Sequence, residues 1–238
     1  MDKSAVLIDG HYQIALPWPH YPSEMPDNCN MAVSRMQSLG RRLERDSNLQ
    51  VFYKAEIDAY VKRGYAREVA TEDVRERGRV CYLLHHAVAH PAKPERVRVV
   101  FDCAVQQRGI SLNIRPLQGP DYTNNLVGVL TRFRQEKIAL VADIESMFNQ
   151  VRVSPRDTDF LCFLWWQEGD PSKPLKKYKM LVHLFGATSL PSCAGIALRK
   201  TAEDNKEKYP EEVYRCWKTS MWMTILGLHL PRRMLSAL

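Results

Sequence analysis

The sequence predicts an α+β fold. Three observations carry this. Apolar residues recur at helical spacing near the N-terminus, β-rich runs return in two hairpin-like pairs from Val80 onward, and strands and helices mix without a regular βαβ alternation.

The elements follow in order. Residues 1–28 carry Pro17, Pro19, Pro22 and Pro26 around one apolar stretch, YQIALPW, and read as an extended arm that packs on the rest of the chain. Ala32, Met36, Leu39 and Leu43 then repeat every three to four residues, with Arg41, Arg42 and Arg45 between them, which predicts a helix. A second helix is predicted over 52–63, on Phe52, Ile57 and Tyr60 or Val61, ended by Gly64. TEDVRERGR reads as a charged, solvated connector. VCYLLHHAV and RVRVVFDC are β-rich and are split by the proline-containing AHPAKPE, so they read as a hairpin. A polar loop, QQRGISLNIRPLQGPDYT, leads to a helix at 123–135 and then to the apolar run KIALVADI. DFLCFLWW and KKYKMLVHLF form a second strand pair around Gly169, Asp170 and Pro171. A last helix is predicted from Ser189–Pro191 to about 205.

Bulk properties narrow the function classes. The 238 residues carry 34 Lys and Arg against 27 Asp and Glu, a net charge of +7. That balance suits a polyanion such as nucleic acid, and equally a plain basic surface; charge alone leaves both open. No apolar run reaches membrane-spanning length, and the opening MDKSAVLIDGHY has no apolar signal region. The cysteines, at 29, 81, 103, 162, 193 and 216, show no C-x-x-C spacing. The expectation is a non-secreted, cytoplasmic or nuclear protein with reduced thiols and no structural zinc.

Three features could carry chemistry. ALVADIESMF delivers Asp143 to the end of an apolar strand, with Glu145 two residues on and on the same side if the strand continues. A carboxylate there could hold an oxygen-seeking cation such as Mg²⁺, or merely cap the next turn. Lys93, Arg96 and Arg98 sit on the first hairpin, where they could clamp phosphates or form a solvent-facing strand edge. In FGATSLPSC, Gly186 permits close backbone approach to a ligand before a helix start, or makes an ordinary turn. His85, His86 and His90 have no Cys or acid completing a ligand spacing, and Trp165-Trp166 reads as core.

Together, GHYQIALPW, MPDN, KPERVRVVFDCA, SLN, LQGPDYTNNLVGVLTRFRQE, IALVADIESMFNQVRV, FLWW and YKMLVHLFGATSLPSCAGIALRKTAEDN resemble the reverse transcriptase of BEL/Pao-type LTR retrotransposons, over about residues 8–220. The resemblance implies a right-hand polymerase of fingers and palm, working on an RNA template, a DNA primer and deoxynucleoside triphosphates (dNTP) with Mg²⁺ as cofactor. It divides the chain into an N-terminal arm and helical region (1–78), a fingers-like hairpin and helix (79–137), a partial palm (138–216) and a tail (217–238). Asp143 matches the first catalytic metal ligand. Phe148 matches the aromatic gate that excludes a ribose 2′-hydroxyl. Arg98 and Lys93 match the fingers cations on the triphosphate. Phe185 and Gly186 match the loop on nucleotide and template, and Leu190 stands where the family usually has a small polar residue.

The resemblance also implies an adjacent pair of aspartates in a Tyr-Val-Asp-Asp turn soon after EEVYRCWKTS. No Asp follows Asp204. In its place the chain reads Met221-Trp222-Met223-Thr224. Met and Trp have single codons, so the DNA is ATG TGG ATG ACN. If the Ser220 codon ends in T, reading one base earlier gives TAT GTG GAT GAC, which encodes Tyr-Val-Asp-Asp. The expectation is a fragment truncated or frameshifted before the turn, with an incomplete palm sheet, residues 217–238 out of frame and poorly packed, and catalysis absent as translated. A non-catalytic nucleic-acid-binding remnant is the alternative.

Overall fold

The computed structural model describes residues 4–20, 24–70, 80–90, 93–134, 139–210, 220–221 and 224–228. The predicted connector 71–79 lies outside the described residues. The chain mixes helix and sheet, as the sequence predicts. Strand β1 (Val6–Ile8) and β2 (His11–Ile14) form a hairpin, followed by helices α1 (Cys29–Arg45) and α2 (Ser47–Lys62) and strand β3 (Ala66–Glu68). Next come β4 (Leu84–His90), β5 (Lys93–Asp102), α3 (Leu126–Phe133) and β6 (Ala139–Asp143). Strands β7 (Arg152–Val153), β8 (Cys162–Trp166) and β9 (Leu175–Met180) precede α4 (Leu190–Asp204), β10 (Ser220–Met221) and β11 (Thr224–Leu228).

The arm is more structured than an extended segment. Asp9 and Gly10 both take positive φ, at 49° and 77°, which closes a tight hairpin between β1 and β2. β2 then pairs in parallel with β7, matching Gln13 with Arg152 and Ile14 with Val153. Beyond β2 the arm is held by Asp157, fully buried in a 3-10 turn. Its carboxylate accepts from the Leu16 N–H at 2.9 Å and from the Trp18 indole N–H at 3.0 Å. A buried carboxylate needs such donors, so Asp157 fixes the arm in place.

α1 buries Ala32, Met36, Leu39 and Leu43, the predicted stripe. α2 starts earlier than predicted because Asp46 caps it, accepting from the Leu49 N–H at 3.0 Å. Its buried face is Leu49, Tyr53 and Ile57, with Phe52 and Tyr60 partly buried against the same core, while Val61 is 40% exposed. β8 and β9 pair antiparallel, and β3 adds to the outer edge of β9. Residues 159–161, predicted as the start of that strand, instead end a 3-10 turn over Pro155–Leu161, opened by Pro155.

One hydrophobic cluster runs from Leu16 through α1, α2, β4, β5 and β8 to Leu184. At its centre Tyr53 stacks on Trp165, with ring centroids 5.2 Å apart, so the tryptophan pair is core as predicted. His85 sits among these rings. Its Nε2–H donates to the Leu164 carbonyl at 2.9 Å, and its Nδ1 accepts from the Tyr53 hydroxyl at 2.5 Å. Burial pushes its pKa from 6.5 down to about 4, so the ring is a neutral packing group at neutral pH. Among the described residues, no three His, Cys, Asp or Glu side chains are grouped to hold a metal.

The described part of the tail is paired. Ser220–Met221 and Thr224–Leu228 form an antiparallel hairpin, and β11 pairs along all of β6. The sheet order is β10-β11-β6, so the strand ending at Asp143 has a partner. The alternation of Thr224, Ile225, Leu226, Gly227 and Leu228 is apolar enough to pair with the equally apolar β6, whatever its coding origin. Residues 217–219, 222–223 and 229–238 lie outside the described residues. No helix among the described residues is long and apolar enough to cross a membrane.

Candidate active site

The β6 ladder places Asp143 at its C-terminal end, exposed to solvent, with Thr224 as its register partner. The chain turns immediately. Ser146 adopts φ 50°, and Met147–Gln150 winds into one 3-10 turn. The Gln150 side-chain amide donates to the Glu145 carbonyl at 3.0 Å, which closes that turn. Glu145 is exposed beside it.

The turn raises Phe148 toward a second loop. The rings of Phe148 and Phe185 lie 5.8 Å apart at 43°, and Phe185 is 67% exposed. Gly186 follows at φ +103°, a backbone region that side chains rarely enter. A Cβ there would also meet the Phe101 carbonyl oxygen at 3.3 Å, so this loop rests on the end of β5. Leu190 is buried at the first position of α4.

Asn113 holds the loop from the other side. Its side-chain amide donates to the Gly186 carbonyl at 2.9 Å, and its side-chain oxygen accepts from the Thr188 N–H at 3.0 Å. Asn113 also donates its own N–H to the Cys103 carbonyl at 3.0 Å. Sequence reasoning included it only within SLN and gave it no role.

Arg98 and Lys93 are placed less closely. Arg98 is exposed on β5, opposite Val88 across the hairpin. It stands three residues before Phe101, about 10 Å along the strand. Burial raises the Tyr60 hydroxyl pKa, and the nearby Arg98 charge offsets part of that rise. Lys93 opens β5 opposite His90, and its side chain lies outside the described residues. The structure thus brings together Phe148, Phe185, Gly186 and the end of β5, with Asp143 five residues before Phe148.

Two divalent ions need several carboxylates to balance their charge. Asp143 faces Thr224, and no acidic cluster joins it among the described residues. The donor set therefore does not fit a pair of Mg²⁺ ions.

No protein-family model matches this chain, and no curated protein matches it in sequence. Among solved structures, it is similar to one described as a foamy viral protease-reverse transcriptase dRH in complex with ds DNA. The identity is 13% and the TM-score 0.51, over 75% of this chain and 25% of that one. The chain therefore spans about a quarter of that protein's length. Its fold is reverse-transcriptase-like.

Proposed function

We propose that this chain is the fingers and part of the palm of a BEL/Pao-type retrotransposon reverse transcriptase, an RNA-directed DNA polymerase, whose catalytic turn has been lost to a change of reading frame. One observation carries the reading. Met221 pairs with Thr224, Thr224 stands opposite Asp143, and these residues bound the tetrapeptide whose codons read Tyr-Val-Asp-Asp one base earlier when the Ser220 codon ends in T. A hairpin directly across from Asp143 supports the reading that the missing carboxylates belong at this turn.

The remaining parts have roles that need no metal. Arg98 and Lys93 carry charge suited to a triphosphate. The Phe148 ring stacks beside the sugar of a bound dNTP, and Phe185 with Gly186 supplies an apolar and backbone surface for the base and template. Asn113 keeps that surface in position. Mg²⁺ belongs to the family's nucleotidyl transfer, and the single Asp143 does not hold it here. RNA template and DNA primer are bound without turnover. The positive net charge also supports a second reading, a non-catalytic remnant that holds nucleic acid through its phosphates.

Primer extension on an RNA template with Mg²⁺ tests the proposal. The chain as translated gives no incorporation. Incorporation that Asp143→Asn abolishes would overturn the claim of inactivity.

A further inference from the structure

α1 has a face that neither the core nor the site explains. At about 100° per residue, Arg35, Arg41, Arg42 and Arg45 fall with Ser34 and Ser38 inside an arc of about 120°. All six are exposed, and the buried stripe of Ala32, Met36, Leu39 and Leu43 lies on the other side. Glu44, the one acid of the helix, points outside that arc. None of the four arginines has a carboxylate partner among the described residues; Arg41 bonds the Ser38 hydroxyl at 3.1 Å. Arg42 and Arg45 in the last turn complement the helix dipole, but Arg35 and Arg41 stand before it and gain nothing there. α1 packs on α2, β4 and β8, whereas Asp143 ends the β6–β11 sheet.

We propose that this α1 face is a second nucleic-acid contact, separate from the Asp143 site, which grips the phosphate backbone of a duplex. Arginine forks match phosphate oxygens in pairs, and serine hydroxyls donate to the same groups. From Arg35 to Arg45 the row rises about 15 Å, long enough to follow several successive phosphates. An anionic membrane is the competing polyanion. It needs large exposed apolar residues bordering the charges to insert, and the apolar residue within this arc, Met31, is partly buried against the core.

The test is a salt titration of binding to a short RNA–DNA duplex, followed by fluorescence anisotropy. It compares the chain with a triple Arg35→Gln, Arg42→Gln, Arg45→Gln variant. Glutamine keeps helix propensity at exposed positions, and a matching Tm for the two proteins verifies the fold. The expected result is a plot of log K against log salt that is shallower by about 2 to 3 in the variant. The corresponding triple lysine variant keeps most of the slope. An unchanged slope in the glutamine variant overturns the inference. So does loss of binding to phosphatidylserine vesicles with duplex binding intact. dNTP binding by the Arg98→Gln variant, measured in parallel, tests the polymerase reading separately. Loss of dNTP binding in Arg98→Gln with an unchanged duplex slope in the α1 variant overturns the α1 contact and leaves the polymerase reading standing. A shallower duplex slope in the α1 variant with dNTP binding unchanged by Arg98→Gln supports the contact and counts against that reading.

Discussion

Acidified from pH 7 to pH 4, the protein loses most of its stability and unfolds. Two fully buried histidines drive this. His85 lies among Tyr53, Phe101, Phe163 and Trp165, and His183 donates from Nε2 to the Ile14 carbonyl at 3.1 Å. Burial lowers each pKa from 6.5 to about 4. The unfolded chain therefore takes up protons as pH falls through 6.5, while the folded chain refuses them until about 4. The stability these rings contribute is fully present above 6.5 and is lost progressively down to pH 4. A fall from 6.5 to about 4 corresponds to roughly 3 kcal/mol for each ring. Two such losses approach the whole stability of a typical domain, about 5–15 kcal/mol. Urea midpoints measured from pH 7 to pH 4 should fall steeply, and His85→Gln should roughly halve the slope. A flat profile would show that neither ring stays neutral in the folded chain.

Replacing Met221, Trp222, Met223 and Thr224 by Tyr, Val, Asp and Asp is the second large change. Thr224→Asp puts a carboxylate directly across the ladder from Asp143, with Cα atoms about 5 Å apart. Met223→Asp adds another next to it. Without metal, like charges facing one another weaken the ladder by up to about 1 kcal/mol. With Mg²⁺ the same carboxylates become ligands, so the Tm of the replaced chain rises with Mg²⁺ concentration while that of the original does not. Primer extension then appears where it was absent and is lost again on Asp143→Asn. A replaced chain that folds, binds duplex and ignores Mg²⁺ would show that the hairpin is not the catalytic turn.

What the sequence made legible follows from which signals are local. The α1 stripe is readable because its apolar period is long, and the β4–β5 hairpin and the β8–β9 pair because glycine or proline separates their β-rich runs. Phe148, Phe185 and Gly186 were named from motifs, and the structure brings them together. The capping of α2 by Asp46 was missed because Phe52 resembles the helix's first buried residue, whereas Leu49 takes that place. Asp157 and Asn113 were invisible in another way. Each acts on backbone far along the chain, 141 residues away for Leu16 and 73 for Gly186, and no local pattern encodes such a partner. The pairing of Thr224–Leu228 with β6 is likewise not written in any local pattern, because a short apolar strand needs little beyond alternation to find an open edge.

The account stands on the claim that the hairpin opposite Asp143 is the catalytic turn in another frame. Sequencing the genomic DNA and the transcript through codons 214–240 tests it most directly. The account predicts TCT or AGT at Ser220 and a Tyr-Val-Asp-Asp reading one base earlier that stays open downstream. Any other serine codon at position 220 contradicts it.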